Sequence, residues 1–216
     1  MGENRMGSIP YFPSSIFEDA GSYADAYFGL CAAAAATVER EALAKAGRLL
    51  AERAAAGALI FSCGNGGSAA IANHLVCDCM KGVRTGSWLK PKVVSLSATV
   101  ELITAIVNDI GPEQMFAHQL SSLASPGDVL IAISSSGASP NIIRALETAR
   151  AMKLTTIAMT GFSGGEAARL ADITLHVDAQ NYGVVEDVHQ SLMHIIAQYL
   201  RHSHLEDSSS LGSVKF

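Results

Sequence analysis

Charge is scarce in this sequence, and its balance is not basic. Only 16% of the 216 residues are charged, and 15 Lys and Arg face 20 Asp and Glu, for a formal net charge of −5. Nucleic-acid binding needs a basic footprint to neutralise phosphates, so the acidic balance argues against that partner. Cysteine is sparse too: Cys31, Cys63, Cys77 and Cys79 are the only four. Only Cys77 and Cys79 lie close together, so the two close pairs of a structural zinc site are missing. A disulfide scaffold would be shorter and denser in cysteine, which leaves thiols in a reducing compartment. The opening Met-Gly-Glu-Asn-Arg-Met has no apolar signal core. No apolar run approaches the ~20 residues of a membrane helix; the longest candidate, Cys31 to Val38, is mostly alanine. The expectation is a cytoplasmic protein with no membrane partner.

What the sequence does have is apolar residues, 49% of the chain, enough to bury a sizeable core. Residues 1–13 are polar with two prolines and read as a flexible tail. Residues 14–57 are rich in Ala, Glu, Arg and Leu without proline, and predict two helices that break between Ala33 and Val38, an expected oligomer contact. After Gly57 the rhythm changes. Five short β-branched runs follow, at 58–63, 92–96, 128–133, 154–159 and 172–177, each of strand length. Helical patterns separate them, at 68–81, 99–107, 112–124, 139–152, 163–170 and 184–201. Strand alternating with helix predicts an α/β fold, a five-stranded parallel sheet covered on both faces over 58–203. The Ser-rich stretch 204–216 reads as a disordered tail.

In such a sheet ligands bind beyond the C-terminal strand ends, so the loops after each strand carry the function. The first strand runs into Cys63-Gly64-Asn65-Gly66-Gly67-Ser68-Ala69. This contains G-x-G-x-x-A, but no acidic residue ends the second strand to hold a ribose, so no nucleotide cofactor is expected. No G-x-x-x-x-G-K-[ST] occurs either, which excludes a P-loop. What remains is a glycine turn at a helix start, where backbone N–H groups approach an anion. The third strand runs into Ser134-Ser135-Ser136-Gly137-Ala138-Ser139-Pro140, with Ser139 as N-cap and Pro140 as first helical residue. Four hydroxyls at a helix start make a phosphate cradle without any lysine or arginine. The loop Gly161 to Gly165 reads mainly as a turn.

Together CGNGGS, the pair Asn108-Asp109, SSSGAS and TGFSGGEAARLAD resemble the sugar-isomerase (SIS) domain, and within it the bacterial phosphoheptose isomerase family, over roughly residues 42–201. The resemblance implies a flavodoxin-like three-layer sandwich and a homotetramer whose active sites form where subunits meet. It implies isomerisation of sedoheptulose 7-phosphate in heptose biosynthesis. Phosphate would bind at Ser134, Ser135, Ser136 and Ser139, with further substrate contacts from Asn65, Gly66, Gly67, Ser68, Asn108, Asp109 and Glu186. The family's catalytic glutamate and histidine map to Asp78 and His194. Some members bind zinc, which here would rest on His74, Asp78, Glu186 and His194. Two positions depart from the family: Asp78 stands for glutamate and Glu186 for glutamine. The same loops occur in a non-catalytic, initiator-associating relative and in SIS enzymes of other aminosugar phosphates, so those readings stay beside the isomerase.

The chemistry fits these residue types. Moving a proton between C1 and C2 needs a base at carbon, an acid at oxygen and donors for the developing oxyanion. His74 and Asp78, four residues apart, share one helix face, a spacing that suits both acid–base work and metal ligation. Glu186 and His194 would lie about 12 Å apart along one regular helix. They could meet at one ion only if Glu186 preceded the helix or if subunits shared the site.

Overall fold

A computed structural model describes residues 11–212. Two helices lead the chain, α1 (Ala20–Thr37) and α2 (Arg40–Ala55). They break at Val38 and Glu39, whose extended backbone ends one helix and enters the next. Asp19 starts α1 by accepting from the Ser22 N–H at 2.8 Å, while the Ser22 hydroxyl faces the Asp19 N–H, a reciprocal cap. Then come β1 (Leu59–Gly64), α3 (Gly67–Cys77), a π-helical turn Asp78–Val83, β2 (Lys92–Ser95) and α4 (Val100–Asp109). A short 3-10 turn leads to α5 (Ala117–Leu123), β3 (Val129–Ser134) and α6 (Pro140–Ala151). The chain continues through β4 (Thr155–Thr160), α7 (Gly165–Leu170), β5 (Ile173–His176) and α8 (Tyr182–His202).

All five strands pair in parallel in the order β2-β1-β3-β4-β5. This is the expected three-layer α/β arrangement. Alternation along the strands sends residues to two cores. Ile60, Val93, Ile131 and Ile157 pack with α1, α2, α3 and α8 on one face. Phe61, Leu130, Ala132 and Ala158 pack with α5, α6 and α7 on the other. β1 connects to one side of itself and β3 lies on the other, so the crevice between their C-terminal ends is the topological switch point.

Two expectations need correction at the ends of the chain. Residues 204–206 are held, although 204–216 reads as a disordered tail. Leu205 bridges Ser87, Trp88 N–H donates to the His204 carbonyl at 3.3 Å, and the two rings meet edge to face. The Trp88 indole supplies an apolar partner that a serine-rich pattern does not reveal. Phe12, placed in the leading tail, packs on Phe17, Tyr23 and Tyr27, and its carbonyl accepts from Asn181. Residues 1–10 of the expected leading tail and residues 213–216 lie outside the described residues.

Candidate active site

At the switch point Asn65, Ser68, Ile133, Ser134, Ser135, Ser136, Ser139, Tyr182 and Glu186 line a cavity of about 120 Å³. The serine loop is shaped by its own hydroxyls. Ser134 Oγ accepts from the Gly137 N–H at 3.1 Å, and Ser136 Oγ accepts from the Ala138 N–H at 3.3 Å. Ser135 Oγ is buried with no hydrogen-bond partner among the described residues. Ser139 sits at the N-cap of α6 but makes no side-chain capping bond, which differs from the expected cap. A buried, unpaired hydroxyl is costly unless a ligand or water completes it, which makes this cavity the candidate binding site. Pro140 opens α6 as expected.

Glycines bring this loop into place. Gly137 has φ +63°, and a Cβ there would collide with the Gly164 carbonyl. Gly161 N–H donates to the Ser135 carbonyl at 2.9 Å, and Ala167 N–H donates to the Gly137 carbonyl at 2.9 Å. The third glycine loop is therefore more than a turn: it props the serine loop from β4. On the other side, Gly66 takes φ +53° to start α3. A Cβ on Gly67 would collide with the Glu186 carboxylate. Asn65 exchanges two hydrogen bonds with Asn141, at 3.0 and 2.8 Å, which ties the first loop to α6.

Along α3 and α8 a second group assembles. His194 Nδ1 is 2.8 Å from Asp78 Oδ2, and His74 Nε2 is 3.2 Å from Asp78 Oδ1. The Asp78 side chain is 12% exposed, against 47% for His74 and 37% for His194, so the carboxylate forms the floor and the rings the walls. Asp78 ends α3 where the backbone widens into the π-helical turn, a distortion common at functional sites. The two imidazoles cross at 89° with centroids 5.0 Å apart. Candidate ligand atoms of His74, Asp78 and His194 all lie within 4.8 Å of one another. Two imidazole nitrogens and one carboxylate oxygen fit a divalent cation with an open fourth position.

Glu186 is not part of that group. It lies inside α8, two turns before His194, and its carboxylate faces the serine cavity beside Gly67. The metal-ligand expectation for Glu186 is not met within one chain, because the helix rise separates it from His194; its carboxylate lines the serine cavity instead. Burial, and then the neighbouring Asp187 carboxylate, push the Glu186 carboxyl above the usual range. Asn108 and Asp109 are not brought to the cavity either. They bond each other at 2.6 Å at the exposed end of α4, a helix whose one buried residue is Ile106. Three residues escaped the sequence pattern: Tyr182 on the cavity wall, Asn141, and Gln190. The Gln190 amide nitrogen lies 2.9 Å from His194 Nε2 and 3.2 Å from His74 Nδ1. Its spacing of four from His194, the same as that of His74 from Asp78, was the available signal. All four cysteines are free, and burial pushes the Cys63 and Cys79 thiols up to about 12, well away from redox duty.

A parallel sheet with a serine-lined cavity at its switch point defines an α/β protein whose site lies at the strand ends, and the family model for the SIS domain matches residues 22–161. The chain belongs to the SIS domain family. It is 40% identical over 159 residues to the phosphoheptose isomerase of Nitratidesulfovibrio vulgaris (strain DSM 19637 / Miyazaki F), spanning 73% of this chain and 75% of that one. It is 39% identical over 152 residues to the phosphoheptose isomerase of Mycobacterium tuberculosis (strain ATCC 25177 / H37Ra), spanning 68% and 75%. Among solved structures it superposes on phosphoheptose isomerase from Neisseria gonorrhoeae with TM-score 0.77 at 29% identity, over 84% of this chain and 98% of that one. The phosphoheptose isomerase from Francisella tularensis gives 0.79 at 28% identity, over 85% and 98%. No helix among the described residues is long and apolar enough to cross a membrane.

Proposed function

We propose that this chain is an aldose–ketose isomerase that converts sedoheptulose 7-phosphate to the corresponding heptose 7-phosphate through an enediolate. One observation carries the substrate's size. The serine cavity and the His74–Asp78–His194 group ride on the same two helices, α3 and α8. Glu186 and His194 are separated by about 12 Å of helix. An extended seven-carbon sugar phosphate spans about 10 Å from phosphorus to C1, taking ordinary bond lengths. With the phosphate on Ser135, Ser136, Ser139 and the start of α6, the C1–C2 end reaches Asp78 and His194.

Asp78 then takes a proton from C1, and its nearly buried carboxylate keeps water from that step. His194 gives a proton to the C2 oxygen and takes one from the C1 hydroxyl, and the carbon-bound proton is returned at C2. His74, Asp78 and His194 would hold a divalent ion, zinc being the one the family resemblance implies, and such an ion would supply polarisation of the substrate carbonyl. The chain works as a homotetramer in the cytoplasm. α4 and the residue that caps it expose Val100 (64%) and Ile110 (50%), an apolar surface that a second copy would cover, with Asn108 and Asp109 delivered to the neighbour's cavity.

The test is NMR of sedoheptulose 7-phosphate in D₂O with the protein, with and without zinc, beside Asp78→Asn. Deuterium at the reacting carbons with aldose product is expected, falling about a hundredfold or more in the variant. Binding without exchange under any metal condition would replace the isomerase by a phosphosugar-sensing regulator.

A further inference from the structure

Two of the residues that line the serine cavity stand exposed at its rim, Asn65 and Tyr182. The Asn65 amide is engaged by Asn141 on both sides. Tyr182 is 61% exposed, and its hydroxyl has no hydrogen-bond partner among the described residues. Its ring is nevertheless held. It rests on Phe162, with centroids 4.7 Å apart and planes inclined by 55°. Phe162 has φ +50°, a left-handed backbone that a bulky residue rarely adopts. Its N–H donates to the Ala179 carbonyl at 3.1 Å, and its neighbour Gly161 donates to the Ser135 carbonyl of the serine loop. A strained position that glycine would fill at lower cost thus carries an aromatic face, and strain of this kind gathers at functional sites. Beneath the ring the backbone is fixed too. Asn181 caps α8 by accepting from the Val184 N–H at 3.1 Å, and its amide donates to the Phe12 carbonyl at 3.0 Å.

Position along α8 decides which end of a substrate Tyr182 meets. Tyr182 and His194 are twelve residues apart on that helix, about 18 Å of rise. An extended seven-carbon sugar phosphate spans only about 10 Å from phosphorus to C1. Helical side chains also lean toward the N-terminus, which carries the Tyr182 ring further from His194. Tyr182 therefore lies at the phosphate end, out of reach of the reacting carbons. We propose that Tyr182 is a specificity-determining residue: Phe162 holds its ring as the outer wall of the serine cavity, and its hydroxyl donates to a phosphate monoester bound there. A hydrogen bond to a charged acceptor is roughly twice as strong as a neutral one, and no lysine or arginine lines this cavity. The phosphate does not react, so the bond is equal in ground and transition states and acts on KM, not kcat. This effect on turnover rests on the isomerase function proposed above; binding of phosphate is measured apart from it.

The experiment titrates inorganic phosphate into the full chain by calorimetry and measures initial rates with sedoheptulose 7-phosphate. Wild type is compared with Tyr182→Phe, Tyr182→Ala, Phe162→Ala and the double variant Tyr182→Ala/Phe162→Ala. Tyr182→Phe should weaken phosphate binding and raise KM by the same factor, about 10-fold, as loss of one hydrogen bond to a charged group does. Its kcat should stay within about twofold of wild type. Tyr182→Ala should lose at least as much. Phe162→Ala should weaken phosphate in the wild-type background and add nothing to Tyr182→Ala, because it acts through the ring it supports. Tyr182 is exposed at the first turn of α8, so its variants should melt with wild type. Wild-type phosphate affinity in Tyr182→Phe would overturn the proposal. A raised KM with unchanged phosphate affinity would overturn it too, since that would put Tyr182 on the sugar chain. Wild type that binds phosphate without turning over the sugar phosphate would sink the isomerase function and leave the titrations to decide the role of Tyr182. Wild type that binds neither phosphate nor the sugar phosphate would overturn both.

Discussion

Glu186 places a carboxylate in a cavity whose other polar groups are neutral hydroxyls and amides. Among the described residues that line it there is no lysine or arginine to offset a phosphate, so any charge on Glu186 opposes binding. Because burial and Asp187 raise its carboxyl, the group is protonated to higher pH than an ordinary glutamate. As pH rises through that raised value the cavity gains a negative charge, and affinity for a phosphate dianion falls. Glu186→Gln should therefore lower KM at neutral pH and flatten its pH dependence on the acid side. The side chain is largely solvated, so the repulsion is at most about 1 kcal/mol, about fivefold in affinity. Initial rates across pH 5 to 8 for both proteins check this, and an equal or higher KM in the variant would show that Glu186 hydrogen-bonds the substrate. The residue also shows what spacing can and cannot reveal. His74 and Asp78 were legible, because four-residue spacing and a shared helix face are local facts; His194, on a different helix, came only from the family resemblance. Gln190 has the same spacing from His194 but went unread, because an amide carries no acid–base chemistry of its own. The removal of Glu186 from the metal group needed the path of α8, on which an eight-residue gap is a length and not a contact.

At the scale of elements, α8 is the frame on which the cavity and the His74–Asp78–His194 cluster are both hung, and His189 fastens it to the sheet. The ring is fully buried and its Nε2 lies 3.1 Å from the Thr160 carbonyl at the end of β4. Desolvation is the main cause that pushes its pKa down from 6.5 to about 4. Above pH 6.5 the ring is neutral folded or unfolded and costs nothing. Between pH 6.5 and 4 the unfolded chain takes up a proton that the folded chain refuses, so stability falls as pH falls, by up to about 3 kcal/mol. Urea unfolding at pH 7 and pH 4.5 should show a steeper loss in wild type than in His189→Phe. Parallel losses would mean that the folded ring takes the proton. The elements themselves were legible to within a few residues, since β-branched runs and glycine stops alternate so regularly after Gly57. The support that the Gly161 to Gly165 loop gives the serine loop was not. It depends on Gly137 and Gly164 meeting across adjacent strands, a tertiary approach that leaves only glycine in the sequence.

At the scale of the whole molecule, α4 is the element a single chain leaves unfinished. It buries Ile106 alone and turns Val100, Leu102, Val107 and Ile110 outward, beside the Asn108–Asp109 pair that motif matching assigns to substrate. Contiguous exposed apolar surface of this kind marks a contact with another chain. In a closed symmetric assembly each copy would cover the next one's α4 and receive its polar pair. Light scattering should then give about four times the 22.5 kDa of one chain. Ile110→Asp places a charge in that contact and should lower the mass. Activity should fall with it, although Asp78, His194 and the serine loop are untouched. If the mass drops and turnover persists, each cavity is complete within one chain and Asn108 and Asp109 serve another purpose. If neither changes, the apolar face of α4 is not where the copies meet, and the aromatic surface around Phe28 on α1, 68% exposed, becomes the place to cut.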